Sequence, residues 1–542
     1  MIPLLPHESV PRSHDRTTTS EPRRSESGTV LLLAVVFTFA ITMLVASTVD
    51  FTLSEARSVN YGVNRAEAMA LAEGVTETVQ KQMLDSVANF EAFPLIGSVT
   101  LAGTAHPYTI QPLGSEIVRT DTDGVALAIQ PYEIEAEVAV DDAVVRVTRI
   151  VDLTMTPIFQ YMIFFSDDLE ILPGPNMTLG GRVHSNADIY LGAGSTLSVD
   201  TDYLRCTGEI FRQRKNDGST TGGTISIKEF EDTTYQNMTN SMDSTHSDWI
   251  NLALDTWGGT VQSGSHGVTE VAAPEIGSIK AFEPDGSKGY YHENADLVIV
   301  DGQAFDSSGT AIGLPPGTVV EKTMFDGREN QDVTVTEIDI AALNASGMFP
   351  ANGLIYAYRT DASSAQPNGV RLTNGETLAA PLTVVTEDPL YIHGDYNTID
   401  KKGASVMADA VNLLSNAWDD SKSSGSLPAA SDTWYNTAIV TGSVPTPDGG
   451  GNYSGGFENL PRFHENWSGR TASIRGSFIK IYDSEIATSP WSYGGQVYTA
   501  PARDWLYDPD LNGLGNLPPF TPNAVYFRRV TWDDNVAVPF AP

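Results

Sequence analysis

Cysteine is almost absent from this chain of 542 residues, which contains only Cys206. A single cysteine cannot form a disulfide within the chain, so a folded body must be stabilised by packing. Positive charge is also scarce, because 32 Lys and Arg residues stand against 68 Asp and Glu residues, a net charge of −36. Such a surface repels the phosphates of nucleic acids, so we expect no nucleic-acid partner.

The chain also lacks the short motifs of several enzyme classes. It contains no G-x-S-x-G nucleophile elbow, no H-E-x-x-H zinc motif and no phosphate-binding P-loop. We expect Cys206 to be a structural residue rather than a nucleophile. His184, His393 and His464 are scattered along the chain, and we expect no metal site from them. The sequence therefore predicts no catalytic residue and no enzyme activity.

Charge is missing altogether from Thr29 to Val49, where the sequence reads TVLLLAVVFTFAITMLVASTV. At ~1.5 Å per residue this stretch makes about 31 Å of helix, which matches a bilayer core of about 30 Å. Arg23 and Arg24 precede the stretch, and an aspartate, Asp50, follows it. Because basic residues stay on the cytoplasmic side, we expect a single-pass protein of the inner membrane. Its N-terminus is in the cytoplasm, and its large C-terminal part is periplasmic or extracellular.

Residues 1–28 are polar and show no apolar period, so we assign them to a leader peptide. In a secretory signal peptide the cleavage site follows the apolar core, whereas here Gly28 precedes it. Two other interpretations stay open. One is an uncleaved signal anchor, and the other is a conventional signal peptide that is cut after Val45-Ala46-Ser47.

The order of motifs around the apolar stretch resembles that of type IV pilins and pseudopilins, and especially that of PilX-type minor pilins. The likeness covers roughly residues 24–85 and rests on Ser27-Gly28, Ser54-Glu55-Ala56-Arg57, Asn64-Arg65-Ala66-Glu67-Ala68 and Ala70-Leu71-Ala72-Glu73-Gly74. It implies that a prepilin peptidase cuts between Gly28 and Thr29, and that the helix then packs against other pilin-like subunits. Major pilins carry a glutamate at the fifth mature position, which is Leu33 here. The resemblance therefore favours a minor pilin over a bulk fibre subunit.

A helical pattern continues beyond the apolar stretch. Apolar or small residues recur close to every seventh position, at Val59, Val63, Ala66, Ala70, Val75, Val79, Met83 and Val87. We expect one helix over residues 29–90, whose first half spans the membrane and whose second half is amphipathic.

Between residues 91 and 157 the apolar period changes to two. Alternating apolar residues flank the turn Asp141-Asp142 on both sides, which predicts an antiparallel hairpin. We expect this hairpin to form a small pilin-like head against which the helix packs.

Residues 158–542 consist of short apolar runs that are broken by Gly, Asn or Asp, as in 188–192 and 389–395. This rhythm predicts an irregular β-helix, with a β-sandwich as the alternative. Residues 404–418 are an expected helical insertion, because Val406, Ala410, Leu413, Leu414 and Trp418 share one helix face. The fold class is therefore α+β, mainly β, with a large acidic β-rich exported domain.

The best candidate for a ligand site is Asp508-Pro509-Asp510-Leu511-Asn512-Gly513. Oxygen ligands at the first, third and fifth positions and glycine at the sixth match the opening of an EF-hand calcium loop. The twelfth position, which should be glutamate, is Pro519. We therefore expect a plain Asx turn here and keep a loose Ca²⁺ loop at Asp508, Asp510 and Asn512 as the candidate metal site.

Aromatic residues are dense near the C-terminus, at Trp467, Trp491, Tyr493, Tyr498, Trp505, Tyr507, Phe520, Tyr526, Phe527 and Trp532. They either fill a core that is rich in loops or form a surface for sugar rings or proteins.

The sequence as a whole predicts a minor pilin-like, membrane-anchored envelope protein for type IV pilus-type assembly and adhesion to an extracellular surface or glycan. The alternative is an exported polysaccharide-active enzyme on a signal anchor, which needs a cleft with two carboxylates about 5–9.5 Å apart.

Overall fold

The computed structural model describes residues 27–88, 92–121, 123–272, 279–447, 455–489 and 497–535. One uninterrupted helix, α1, occupies Ser27–Ala88. It contains no proline, and alanines at alternate positions from 66 to 72 favour helix. Nearly all of the chain after it is strand and turn, so the predicted class, mainly β with a long N-terminal helix, is confirmed.

The second half of α1 packs on an antiparallel sheet. The first five strands of that sheet are β1 (Ile96–Leu101), β2 (Thr104–Pro112), β3 (Ile117–Thr120), β4 (Ala126–Val140) and β5 (Ala143–Pro157). The helix contributes Ala68, Ala72, Val75, Val79 and Met83 to the shared core, at the three- and four-residue spacing of one helix face. These residues, together with the sheet, form the head.

Beyond the head the chain winds into coils whose strands pair mostly in parallel. The first arm runs from residue 158 to 262. Its elements are β6 (Ile163–Phe165), β7 (Leu169–Ile171), β8 (Met177–Gly180), β9 (Val183–Ser185), β10 (Ile189–Leu191), β11 (Thr196–Asp200), β12 (Leu204–Cys206), β13 (Ile210–Phe211), β14 (Thr224–Lys228), β15 (Tyr235–Asn237), α2 (Trp249–Trp257) and β16 (Val261–Gln262).

The second arm runs from residue 290 to 507. Its elements are α3 (Tyr290–Asn294), β17 (Leu297–Val300), β18 (Gln303–Asp306), β19 (Ala311–Ile312), β20 (Val319–Asp326), β21 (Gln331–Asp339), α4 (Ile340–Ser346), β22 (Leu354–Tyr358), β23 (Gly369–Thr373), β24 (Leu382–Val385), β25 (Pro389–His393), β26 (Ala404–Ala408), β27 (Ala410–Leu414), β28 (Thr433–Asn436), β29 (Ala438–Thr441), β30 (Arg462–Phe463), β31 (Thr471–Gly476), β32 (Phe478–Lys480) and β33 (Ala502–Tyr507).

The two arms meet in the middle of one long sheet. Its order is β16-β12-β9-β6-β32-β29-β26-β24-β22-β17-β18-β19, and β6 pairs in parallel with β32. The first arm therefore grows outward from β6, whereas the second arm starts at the far end and winds back to it. The stacked, mostly parallel strands around an apolar interior favour the predicted β-helix over a β-sandwich, whose sheets are antiparallel.

The last described strand, β34 (Asn523–Asn535), returns to the head. It pairs antiparallel with β5, from Asn523 opposite Pro157 to Asn535 opposite Arg146. The expected head of residues 91–157 is therefore incomplete, because its sheet also needs a strand from the other end of the chain. The body, residues 158–522, is an insertion between two neighbouring strands of the head.

Residues 404–418 do not form the predicted helix. They contain β26 and β27, and every residue of both strands is buried. A strand that is covered on both faces is a continuous apolar run, and such a run also places apolar residues on one face of a helix. Asp409 makes the corner between the two strands, where its carboxylate accepts the N–H groups of Ile486 and Ala487 at 3.0 and 2.7 Å.

One ion pair joins the helix to the sheet of the head. The Nη1 atom of Arg149, a buried residue of β5, lies 2.8 Å from Oε1 of Glu77 on α1. A second pair on the same helix, between Lys81 and Asp85 at 2.7 Å, is exposed.

We predict that Glu77→Gln leaves the Arg149 guanidinium buried without its countercharge and weakens the contact between helix and sheet by about 1–3 kcal/mol. Hydrogen exchange of the β5 amides measures this loss as faster exchange. The matched control, Lys81→Gln, removes an exposed pair and costs less than about 0.5 kcal/mol. Equal effects of the two variants would contradict the assigned role of Arg149.

Candidate functional site

The N-terminal half of α1 is the most exposed apolar feature of the described residues. From Thr29 to Val49 every residue is exposed, and side chains as large as Leu31 and Phe37 are 69% and 60% accessible. The segment from Thr29–Val87 is long and apolar enough to cross a membrane, with a mean hydropathy of 2.6 in its most apolar window. A single N-terminal helix of this kind fits a membrane anchor or a signal segment.

The predicted cleavage site lies at the start of this helix. Gly28 and Thr29 both lie within α1, so a cut between them would leave the whole apolar segment on the mature chain. Residues 1–26 of the predicted leader lie outside the described residues. Leu33, the position where a major pilin carries glutamate, is 55% exposed on the apolar segment.

The seven-residue pattern of the sequence divides into two groups in the structure. Val75, Val79 and Met83 are buried against the head, whereas Val59 and Val63 are exposed, each at 59%. The first fully buried residue of α1 is Ala68. Residues 50–67 are therefore a stalk between the apolar segment and the head.

The three predicted calcium ligands are engaged by cations of the protein itself. The ammonium of Lys401 lies 2.7 Å from Oδ1 of Asp508 and 2.9 Å from Oδ2 of Asp510. Asn512 Oδ1 accepts hydrogen bonds from Tyr507 at 3.0 Å and from Arg182 at 3.3 Å. Burial opposes the charge of Lys401, but the hydrogen bonds to both carboxylates outweigh it and raise the pKa of Lys401.

This loop forms an Asx turn that carries an ion pair. Asp508 caps a short 3₁₀ helix, Pro509–Asn512, and accepts the N–H of Asp510. Lys401, which is 107 residues away in the sequence, takes the position that a bound cation would need. The Ca²⁺ loop predicted from the spacing of oxygen ligands does not account for this lysine.

The three histidines lie on different parts of the body. His184 contacts Asn186 and Tyr203, at 3.0 and 3.2 Å, and burial lowers the pKa of His184 to about 4. His393 is on β25, and His464 contacts Asn412 at 2.8 Å. Within the described ranges no group of three or more His, Cys, Asp or Glu side chains could hold a metal ion.

Cys206 is a fully buried member of the core of the arms, and burial raises the pKa of its thiol. A thiol in that state is a poor nucleophile, because the thiolate is the reactive form. The structure therefore places Cys206 among the packing residues of the first arm.

A cleft of about 530 Å³ separates the head from the first arm. It is large enough for a small ligand, and three carboxylates line it, Asp121, Asp123 and the exposed Glu270. Asp123 is bound by both terminal nitrogens of Arg205 at 2.9 Å. Asp121 accepts the N–H groups of Asp123 and Val125 at 2.9 and 2.8 Å, as in an Asx turn. Asp121 and Asp123 therefore have structural partners.

Glu170 is the carboxylate with the most perturbed environment beside a cavity. It is 7% exposed, and burial raises its pKa to about 7, partly against a hydrogen bond from Thr446. The cavity that it lines, between the two arms, has a volume of about 40 Å³. That volume suits one or two water molecules and is too small for a sugar ring.

The aromatic residues near the C-terminus serve mainly as core. Trp467 and Trp505 are 0% and 1% exposed and pack with Phe463. Trp491 and Tyr493 lie outside the described residues. The structure instead exposes Trp434 of β28 at 44%, beneath the guanidinium of Arg475. Sequence reasoning missed Trp434, because only its alternation with buried Thr433 and Tyr435 marks it as outward-facing.

No known protein family matches the chain, and no curated protein matches it either. Among solved structures, the competence-associated pilin ComZ from Thermus thermophilus is similar over 87% of this chain and 98% of its own, at 11% sequence identity and a TM-score of 0.26. At this score the two chains do not superpose closely enough for the likeness to support an argument about fold or function.

We predict that Ca²⁺ leaves the thermal unfolding temperature of the protein unchanged, because Lys401 already pairs with both Asp508 and Asp510. Lys401→Met removes that charge and lowers the stability of this region by about 1–3 kcal/mol. The control Lys422→Met disrupts the exposed pair with Asp419 and costs less than about 0.5 kcal/mol. A rise of the wild-type unfolding temperature with Ca²⁺ would contradict this expectation and support a calcium loop.

A second prediction concerns Glu170. Its pKa in the fold, about 7, lies above its ordinary value of 4.5, so the fold favours the protonated carboxyl. The stabilising effect of the proton is full below about pH 4.5 and is lost as the pH rises to about 7. We therefore expect Glu170→Gln to stabilise the protein at pH 8, by up to about 3 kcal/mol, and to change little at pH 4.5.

Unfolding temperatures at the two pH values measure this difference. The control is Glu116→Gln, at an exposed glutamate of the head, for which we expect no change with pH in the gap between variant and wild type. A Glu170→Gln variant that is less stable at pH 8 than at pH 4.5, relative to wild type, would show that Glu170 is ionised in the fold.

Proposed function

We propose that this chain is a PilX-like minor pilin, anchored in the cytoplasmic membrane by α1, that takes part in type IV pilus-type assembly and displays a large acidic body outside that membrane. Its partners are the prepilin peptidase, which removes residues 1–28, and other pilin-like subunits, which pack against the apolar helix. The distal body makes the contact with an extracellular surface or glycan.

The observation that carries this proposal is the division of α1 into two halves. The half from Thr29 to Val49 is wholly exposed and uncharged, whereas Ala68, Ala72, Val75 and Val79 are buried on an antiparallel sheet. One continuous helix therefore holds the head and leaves an apolar rod free for a membrane and for other helices. An ordinary signal peptide does not need to be continuous with a helix that packs in the core of the exported domain.

We propose a binding role, not a catalytic one, for the body. Two of the carboxylates that line its described cavities serve structural purposes: Asp123 binds Arg205, and Asp508 binds Lys401. Glu170, which has a raised pKa, faces a cavity of about 40 Å³. These features favour display and adhesion over the alternative of a polysaccharide-active enzyme, whose cleft must admit a sugar chain between two free carboxylates.

The decisive experiment is mass spectrometry of the mature N-terminus of protein made in its native host. We expect the chain to begin at Thr29, and we expect Gly28→Arg to leave residues 1–28 attached. The matched control, Ser27→Ala, alters the neighbouring residue and leaves processing intact. A start near Met1 in the wild type would indicate a plain signal anchor, a start near Thr48 would indicate ordinary secretion, and either would overturn the pilin assignment.

A further inference from the structure

The cleft between the head and the first arm is built from both units of the fold. The head contributes Asp121 and Asp123, which follow β3, and Tyr526 of β34, whereas the first arm contributes Tyr161 and Tyr203. The cleft volume of about 530 Å³ lies within the range of ligand pockets in proteins. The arrangement of charges and hydrogen bonds in its wall indicates which class of ligand fits it.

Negative charge exceeds positive charge in the wall of the cleft. Three carboxylates, those of Asp121, Asp123 and Glu270, line it together with one guanidinium, that of Arg205. Arg205 is committed to the wall itself, because it binds Asp123 and its Cζ atom lies 4.1 Å from the ring centroid of Tyr203. Glu270 is exposed, and no described residue forms an ion pair with it. The charge of Glu270 is therefore uncompensated.

The hydrogen bonds behind the wall fix the direction in which Tyr161 donates. Val271 bonds to both the amide N–H and the oxygen of Asn186, which orients that side chain, and the Asn186 oxygen lies 3.0 Å from Nε2 of His184. Burial lowers the pKa of His184 to about 4, so the ring is neutral, and we assign its proton to Nε2. Nδ1 then accepts from the Tyr203 hydroxyl at 3.2 Å.

Tyr161 consequently presents an acceptor to the cleft. Since Tyr203 donates to His184, its oxygen is left to accept the hydrogen bond that joins it to the Tyr161 hydroxyl. Tyr161 is 4% exposed, and its only hydroxyl proton is used in this bond. The remaining lone pair of the Tyr161 oxygen can accept from a ligand.

A carboxylate acceptor lies close to that oxygen. Burial raises the pKa of Tyr161, Tyr203 and Tyr526, and the charge of Asp121 adds to the rise in all three, which places Asp121 near the three hydroxyls. Oδ1 of Asp121 accepts two backbone N–H groups of its own turn. Oδ2 accepts no hydrogen bond from the described residues, so it faces the cleft as a second acceptor.

The strongest donors of the wall are already engaged. Both terminal nitrogens of Arg205 bind Asp123, and the amide nitrogen of Gln262 donates to the carbonyl of Gly259 at 2.8 Å. A sugar hydroxyl donates and also accepts, so a sugar would leave acceptors unmatched in this cleft. An alkylammonium group donates three hydrogen bonds and accepts none. The ring of Tyr526, which is 43% exposed, offers a face for its cation or its alkyl chain.

We propose that this cleft binds an alkylammonium group, such as that of a lysine side chain, which donates to Tyr161 and Asp121 and is attracted by the charge of Glu270. A lysine within a peptide and a free amine carry the same group, and both fit this chemistry. The site goes beyond the proposed function, because it depends on the cleft and not on the apolar half of α1.

Isothermal titration calorimetry of the full-length protein in detergent tests the site. We expect N-acetyl-lysine amide to bind and N-acetyl-norleucine amide, which lacks the ammonium, not to bind. Butylammonium is the second positive probe. Equal affinities of butylammonium and the lysine compound would show that the ammonium alone is recognised, whereas tighter binding of the lysine compound would show that peptide groups contribute.

Two substitutions in the cleft locate the binding. Tyr161→Phe keeps the buried ring and removes the acceptor, so we expect about tenfold weaker binding of the lysine compound. Glu270→Gln, at an exposed position that tolerates the change, should weaken binding about threefold. The matched control is Glu116→Gln, at an exposed glutamate of the head outside the cleft, which should leave the affinity unchanged. Unfolding temperatures show that the variants are folded.

Four outcomes would overturn the proposal. The first is equal binding of the norleucine and lysine compounds, and the second is binding of the neutral sugar maltotriose in place of the lysine compound. The third is no binding of the lysine compound at about 10 mM. The fourth is binding that Glu270→Gln weakens no more than Glu116→Gln does, which would place the cation elsewhere on the acidic surface. The mature N-terminus, which tests the proposed function, is measured independently of all four.

Discussion

The pairing of β34 with β5 is the constraint on which the architecture depends. It places Asn523 opposite Pro157, so the chain enters the body and leaves it at one point of the head. The sheet under α1 therefore is complete only when the end of the chain has returned to it. A contact between residues so far apart in sequence forms late in folding, because the intervening chain must first be ordered. The head and the body consequently depend on each other for stability.

The pairing of β34 with β5 also determines how the body is attached to the head. Since the chain enters at β6 and leaves after β33, the two arms extend in opposite directions from the junction of β6 with β32. A load on either arm reaches the head through β5 and β34, and reaches α1 through the core that contains Val75 and Val79 and through the pair of Arg149 with Glu77. The helix is thereby attached to the middle of the broad body, where the two arms meet, and not to one end of it.

Local signals in the sequence were sufficient for α1, for the period of two in β4 and β5, and for the short strands of the body. Contacts between distant residues were not predictable in this way. No local feature of the sequence near β34 predicts its pairing with β5. The spacing of oxygen ligands at Asp508 does not predict the ion pair with Lys401. The error at 404–418 has another origin, because strands buried on both faces lose the alternation that distinguishes them from a helix. Of the candidate site, the sequence predicted the apolar segment, whereas the point along the helix at which burial begins, after the exposed Val63 and at Ala68, required the structure.

Some of the acidic residues stabilise the fold, whereas others contribute to the charge of the surface. In a chain without disulfides, the corners between coils need acceptors for backbone N–H groups, and carboxylates supply them. Asp409 accepts the N–H groups of Ile486 and Ala487, Glu465 accepts that of Ser415 at 2.6 Å, and Asp388 accepts that of Arg359 at 2.6 Å. Burial raises the pKa of all three carboxyls. Some of the 68 acidic residues therefore hold turns in place and do not act on partners in solution. A binding role for the body must accordingly be sought in its exposed side chains, such as Trp434, rather than in its overall charge.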